Sequence, residues 1–507
     1  MLVRGAEDNE LLAGNTSKHT PNRPLTSASV RRRLAFCLFL HIAGVAMLSQ
    51  VYPKVVLEYF EHDDRKASVF SGWLKFSCSA VELIAVPSVS TASDAVGRRG
   101  VLAASLALSG AAVLALGFRP DSIVAVAACQ IVSSICGAIL PVSQAVIVDI
   151  SLWDEGAGKG EVSHGLGTLA ASFGIALTVG PIFGGLTSKD HRSLACGVCA
   201  GMTLLALLSL RFYGWTETAP ARRVEIRSDT TGKRFCSWLQ MVNPLSNVKI
   251  LLQNSLLTQL SLCLCLYSLA INVYTIFYNY LDYRYHWGPL EISVFFSVFG
   301  VILALTTGLG IRIIVPKLLS EGRGIVVGML MHATASILYG VVPRGWMLYP
   351  INLVTAVQYI ADPCIQAIMA KLVDEGCQGR LQGAITTLRI VAQGIAAPVY
   401  SQAFSFGLSN TFKNALGFGA PGLPLFLAAQ FTLTAVMIAS CALRQLDSVL
   451  DTRTRSSSGR AGAIEEGEST ASLSSVDDST NRAAAFEEDE PLSDISEPLL
   501  DGATPGT

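Results

Sequence analysis

Ser93-Asp94-Ala95-Val96-Gly97-Arg98-Arg99-Gly100 lies between two uninterrupted apolar stretches, residues 69–92 and 101–118. Apolar runs of that length cross a bilayer as helices, because about 20 residues at a 1.5 Å rise cover its hydrocarbon core. The short charged segment must therefore turn the chain back between two membrane helices with almost no slack. Asp94 ends the first helix and Gly97 permits the sharp turn. Arg98 and Arg99 fall where the cytoplasmic side of a membrane protein concentrates positive charge.

Composition extends this reading to the whole chain of 507 residues, which is 51% hydrophobic and only 15% charged. Soluble domains carry about 25% charged residues. The net charge of −1 says nothing of partners, since the charges are segregated into loops and tails. Many of the 12 cysteines, among them Cys37, Cys78, Cys129, Cys136, Cys263 and Cys265, fall inside apolar runs, where they read as small packing residues rather than a disulfide framework. Cys196-Gly197-Val198-Cys199 has redox-motif spacing but lies in a membrane stretch with no βαβ context. The chain carries no P-loop, no cofactor or metal motif and no repeated channel filter, which disfavours an enzyme, an ATP-driven pump, a selective channel and a nucleic-acid partner.

The hydropathy pattern predicts an all-α membrane protein of twelve transmembrane helices, near 34–59, 69–92, 101–118, 122–149, 164–187 and 194–214, then 255–281, 292–315, 325–342, 346–372, 381–407 and 423–443. Six helices, a polar stretch and six more form two pseudo-symmetric halves. The expected domains are a tail at 1–33, a first half at 34–214, a linker at 215–252, a second half at 253–443 and an acidic, Ser-rich tail at 444–507. Gly180-Pro181-Ile182-Phe183-Gly184-Gly185 in the fifth helix has a faint counterpart in Gly394 and Pro398 of the eleventh, and both patterns allow close helix packing and bending.

Lys and Arg placement orients the chain. Arg31, Arg32 and Arg33 precede the first helix, and Arg222, Arg223, Arg227, Lys233, Arg234 and Lys249 crowd the linker. Both termini and the linker are therefore expected in the cytoplasm. The tails are too polar to bury a core. Glu7 followed by Leu11 and Leu12 has the form of an acidic dileucine signal for sorting adaptors, and Glu497 with Leu499 and Leu500 is a looser version. These point to a plasma membrane or an endosomal or vacuolar one. Asn15-Thr16-Ser17 is a glycosylation sequon, but a cytoplasmic tail would not meet the enzyme.

Ionisable residues inside membrane helices are costly, so each needs a reason. Lys75 and Glu82 share one face of the second helix, two turns apart. Lys75 can snorkel outward, whereas Glu82 lies nearer mid-membrane without an evident cation at its depth. It is a candidate proton site, against a structural hydrogen bond. His41 and Gln50 in the first helix are further pathway candidates, against ordinary packed polar residues. Asp362, followed by Pro363, and Arg389 lie at matching depth on the tenth and eleventh helices. They are expected to pair or to share a central cavity. Asp94, Arg98 and Asp149 collect at helix ends on the expected cytoplasmic side as a candidate latch between conformations, with Gly97 and Arg99 in the same loop.

Asp-x-x-Gly-Arg-Arg in the loop after the second helix resembles the signature loop of the major facilitator superfamily, with Ser90 where that family usually has glycine. The resemblance covers about residues 34–443 and implies alternating access, with the Asp94–Arg98–Asp149 cluster holding the outward-facing state. Gln378-Gly379, Gln382-Gly383-Ala384-Ile385-Thr386, Arg389 and Pro398-Val399-Tyr400 resemble the hippocampus-abundant-transcript branch, relatives of tetracycline–proton antiporters. Asn243-Pro244-Leu245 and Val148-Asp149-Ile150 are similar as well. The fifth helix resembles the antiporter motif of that group, with Ala176 at an expected glycine. Asp362 stands where the branch usually has an apolar residue. The resemblance implies a secondary active transporter of a small organic solute, proton-coupled and an antiporter. A transport-inactive receptor or scaffold with the same fold, and a facilitated uniporter, are the alternatives.

Overall fold

The structure is a computed structural model that describes residues 27–151, 159–187, 191–212, 248–306, 321–373, 378–410, 414 and 419–469. The 213–247 linker stretch, the dileucine residues Leu11 and Leu12, and residues 470–507 lie outside the described residues. Twelve helical crossings appear among the described residues. Ten are long and apolar enough to span a membrane: Ala28–Tyr59, Asp64–Asp94, Arg98–Phe118, Ile123–Ile150, Gly167–Thr187, Arg192–Leu210, Ser255–Tyr285, Glu321–Val341, Gly345–Lys371 and Leu423–Leu446. The eighth, Pro289–Leu305, is apolar but has 17 residues before the described chain stops. The eleventh, Gln378–Gly407, has 30 residues and is long enough, but it carries Arg380, Arg389 and several glutamines.

Among the described residues four hydrophobic cores hold the molecule, and none of the four crosses between halves. Two lie in the first half, one around Leu34, Leu106, Val146 and Leu210 and one around Met47, Val113, Val126 and Cys199. Two lie in the second half, one around Leu260, Met329, Ile365 and Ala439 and one around Phe277, Phe295, Tyr339 and Tyr400. In each half one core sits toward the face carrying Gly97, the end of the sixth crossing and the start of the seventh. We call this the linker face. The other core sits toward the opposite, far face. The ten described cysteines are free thiols, eight of them buried among apolar neighbours.

The halves meet along two helix pairs, the second crossing on the eleventh and the fifth on the eighth. Small residues make these approaches possible. A Cβ at Gly72 would strike Ser401 and come within 2.9 Å of the Ala397 carbonyl, and one at Gly394 would lie 3.1 Å from Ser79 Cβ. In the fifth crossing the glycines divide their labour. Gly180 and Gly184 lie against Ala43 and Met47 of the first crossing, within the half, whereas Gly185 faces Ser293 and Pro289 of the eighth, across the seam. Pro181 sits inside this helix between them.

Every third crossing is interrupted near its middle. The first breaks between Ser27–Leu48 and Val51–Tyr59, and the fourth passes through a 3₁₀ turn at Cys136–Ala138. The seventh does so at Asn272–Ile276, and the tenth at Gln358–Ile360. In the tenth the cause is local, since Pro363 cannot donate the backbone hydrogen bond that would continue the helix through Tyr359. The last helix, Leu423–Ser469, runs past the 443 boundary expected from hydropathy. Leu, Arg, Ala and Glu in the extension favour helix although they are too polar for a membrane.

Candidate functional site

Gly97 has φ 117°, a conformation that only glycine adopts without strain, and its backbone N–H still caps the second crossing by bonding to Ser93 O. The turn places Arg98 at the first position of the third crossing. There its guanidinium is held between two carboxylates: Asp94, one turn back, at 2.9 Å, and Asp149, at the end of the fourth crossing, through Nε. A second bond runs from Arg98 Nη2 to Asp149 Oδ1 at 3.4 Å. Arg98 and Asp149 are each only 12% exposed, whereas Asp94 is 63% exposed. Arg99 donates to the Leu210 carbonyl at 3.1 Å, tying the same turn to the sixth crossing. The three residues expected to form a latch are therefore together, with Asp149 the more deeply held partner.

Deeper in the membrane, two ion pairs occupy consecutive turns along the seam. Arg389 Nη2 meets Asp362 Oδ1 at 2.5 Å, as their matching depth predicts, and Gln366 Nε2 donates to Asp362 Oδ2 at 3.2 Å. One turn along the eleventh crossing from Arg389, Gln393 Nε2 donates to Glu82 Oε2 at 3.1 Å and to Ser79 Oγ at 3.2 Å, both on the second crossing. Residues four apart share a helix face, so Arg389 also points to the seam. Asp362 and Arg389 are about a third exposed, at 34% and 37%.

The expectation that Glu82 has no cation at its depth is corrected. Lys75 Nζ lies 3.6 Å from Glu82 Oε1. Seven residues rise about 10.5 Å along a helix, and the long lysine stem covers the gap when both side chains lean toward each other. His41 and Gln50 are buried, but the described contacts do not bring either to these ion pairs. His41 Nδ1 and Gln50 Oε1 have no hydrogen-bond partner in the structure, while Gln50 Nε2 donates to Ser49 Oγ at 3.4 Å.

Two further features escaped the sequence reading. On the far face Arg192 bridges Glu58 at 2.5 Å and Asp121 at 2.7 Å, joining the sixth crossing to the end of the first and the start of the fourth. In the second half a polar and aromatic network lies wholly inside the bundle. Tyr267 donates to the Gln358 carbonyl at 2.9 Å, Tyr339 donates to Asn352 Oδ1 at 2.7 Å, and His332 Nδ1 meets Thr432 Oγ1 at 2.7 Å. Each of these residues is isolated in sequence, and only the bundle brings them together.

Comparison with known proteins agrees with this architecture. Tetracycline resistance protein, class E, of Escherichia coli is 26% identical over 371 residues, covering 73% of this chain and 86% of that protein. Hippocampus abundant transcript 1 protein of Homo sapiens is 23% identical over 72% of this chain and 71% of its own length. Among solved structures, the human organic anion transporter MFSD10 aligns with a TM-score of 0.62 at 18% identity, over 82% of this chain and 99% of that one. The nucleoside transporter NupG aligns with a TM-score of 0.62 at 11% identity over the same shares. At those identities the likeness to solved structures concerns the fold. The family model of the Major Facilitator Superfamily matches residues 34–397, and the chain belongs to that family of transporters, which are not enzymes.

Proposed function

We propose that the chain is a secondary active transporter that moves a small organic solute by alternating access, driven by protons. One observation carries this reading: charged side chains from both halves, Glu82 on one side and Asp362 with Arg389 on the other, line the seam where the halves must separate. A receptor or scaffold that never opens gains nothing from ionisable groups at membrane depth there. The contacts named across the seam run from Arg65 Nε on the Ser405 carbonyl, at 3.1 Å near the far face, to Gln393 on Glu82. Asp362 and Arg389 lie beyond them toward the linker face and are about a third exposed. We read this as the state that opens to the linker side, which positive charge assigns to the cytoplasm.

In this reading Arg389 receives a hydrogen-bond-accepting group of the solute, since its planar fork matches such acceptors. Asp362 and Glu82 are the proton-responsive carboxylates. The Asp94–Arg98–Asp149 clamp biases the two states without touching solute. Kinship with tetracycline resistance proteins supports an organic solute and coupling of its movement to protons.

The test is uptake and efflux of a metabolite panel in proteoliposomes of the full chain, with and without a pH gradient. A solute accumulated only with the gradient is expected. Asp362→Asn with Arg389→Gln should fold, because no unpaired charge remains, yet lose that transport. Full transport by the double variant would reduce the pair to a structural tie.

A further inference from the structure

A cavity of about 230 Å³ lies between the halves on the far-face side of the Lys75–Glu82 pair. Its walls come from two equivalent places. Ser49 and Tyr52 flank the break in the first crossing, and Thr275 and Ile276 belong to the break in the seventh. Irregular backbone at membrane depth is tolerated where it lines such a space. The volume exceeds the roughly 150 Å³ that accommodates a benzene ring. Ser71, Gln130 and Asn279 add polar groups, and Ser68 Oγ, on a residue only 1% exposed, has no hydrogen-bond partner in the structure. Among the lining residues Lys75 alone is charged.

Lys75 is loosely held. At 3.6 Å its contact with Glu82 Oε1 is an ion pair without a hydrogen bond, and its side chain is 35% exposed. Glu82 is anchored independently, because Gln393 of the eleventh crossing donates to its other oxygen, Oε2. From the fourth crossing Gly137 lies against it, since an added Cβ there would be 3.7 Å from Glu82 Cγ. The next charge along the eleventh crossing, Arg389, is engaged by Asp362. Lys75 is thus the cation that Glu82 shares with the cavity.

We infer that the cavity binds the anionic group of a solute on Lys75, and that Glu82 takes up a proton as Lys75 leaves it, so anion and proton bind together. This rests on the transporter reading above and adds the charge of the solute and the sense of coupling. The step balances. The anion and one proton from the medium enter, Lys75 keeps its ammonium proton and exchanges one carboxylate for another, and the new proton sits on Glu82 Oε1, the oxygen Lys75 vacates. Oε2 continues to accept from Gln393, so the change is reported directly to the other half. Net charge at the site is the same before and after. A cationic solute would instead need Glu82 ionised and would compete with the proton. For an anion the coupling is co-transport, opposite to the exchange expected from the fifth-crossing motif.

The test uses purified full-length chain in detergent with three probes of one size: benzoate, benzyl alcohol and benzylamine. Benzoate should bind best, and its affinity should rise about tenfold for each unit fall in pH between 8 and 6, where carboxylates of pKa about 4 stay ionised. In weakly buffered solution each bound benzoate should take up one proton. Glu82→Gln should bind benzoate without proton uptake and without pH dependence. Lys75→Gln should lose the preference for benzoate, and Lys75→Gln with Glu82→Gln, which leaves no unpaired charge, should lose it as well. Absence of benzoate binding at millimolar concentration, equal binding of the three probes, or proton release on binding would each overturn the inference. Gradient-driven transport of another solute in proteoliposomes would in that case still stand, so the two readings fail separately.

Discussion

The second and eleventh crossings face each other along the seam, yet they are built into their halves in opposite ways. The eleventh is rooted in both cores of its half, through Leu381, Ala384 and Ile385 in one and Ala396, Tyr400 and Phe404 in the other. The second has buried residues, Ala67, Leu74, Cys78 and Val86, but none of them belongs to either core of the first half. Its hold on that half comes from Val89 at the edge of the linker-face core, from its contact with the fourth crossing near Gly137, and from the charged turn at its linker-face end. The comparison gives the Arg98 clamp a physical purpose. Where apolar packing holds a helix only at the edge of a core, a partly buried arginine between two carboxylates adds a tie, and such a tie can be broken and remade without repacking a core.

The largest test of this contrast is in the cores. Tyr400→Ala or Phe404→Ala should cost about 3–5 kcal/mol and much of the folded yield, read by thermal unfolding in detergent. Leu74→Ala on the second crossing should cost no more than about 2 kcal/mol, the low end for leucine truncation. Equal losses at the two sites would remove the asymmetry.

The clamp comes next. Arg98→Ala strands Asp149 at 12% exposure and should cost about 2–3 kcal/mol, somewhat less than for a fully buried pair, while lowering the transport rate more than solute affinity. Asp149→Asn should act in the same direction. Asp94→Asn, at a side chain 63% exposed, should change stability by less than about 1 kcal/mol. A normal transport rate in Arg98→Ala would reduce the cluster to a static tie.

The smallest effect is expected from the other arginine. Arg192→Ala removes two bridges, but Glu58 is 38% and Asp121 75% exposed, so solvent replaces what is lost at a cost of about 1 kcal/mol. Transport rate should stay the same, because this clamp joins crossings that already share the far-face core. A large rate effect would show that both ends of the first half control the change of state.

Much of this is legible in the sequence. Continuous apolar runs report helix number directly, and the spacing of Asp94, Gly97 and Arg98 determines a turn whose chemistry survives intact. Asp362 and Arg389 could be matched because each lies a similar number of residues from the same loop. Other features had no local signal. The seventh crossing breaks at Asn272–Ile276 with no proline nearby, so that interruption follows from packing, whereas Pro53 and Pro141 stand four residues after Ser49 and Gly137 and give the first and fourth breaks the same local cause as the tenth. The bridge from Arg192 needs three crossings to converge, and the tyrosine, histidine and amide network needs four. Lys75 and Glu82 share one face in the sequence, but their contact depends on side-chain reach across two turns, which spacing alone does not report.

The eleventh crossing has a consequence for how the chain is made. Read by a translocon one segment at a time, a helix with Arg389 near its centre is penalised by about 2.5–3.5 kcal/mol for that residue alone. Its counter-charge, Asp362, arrives just before it on the tenth crossing. The two segments can therefore enter the lipid together as a neutralised hairpin far more readily than one after the other. A variant lacking Asp362 would then be met first by quality control at the site of synthesis, as a topology error, before any defect in transport could be expressed.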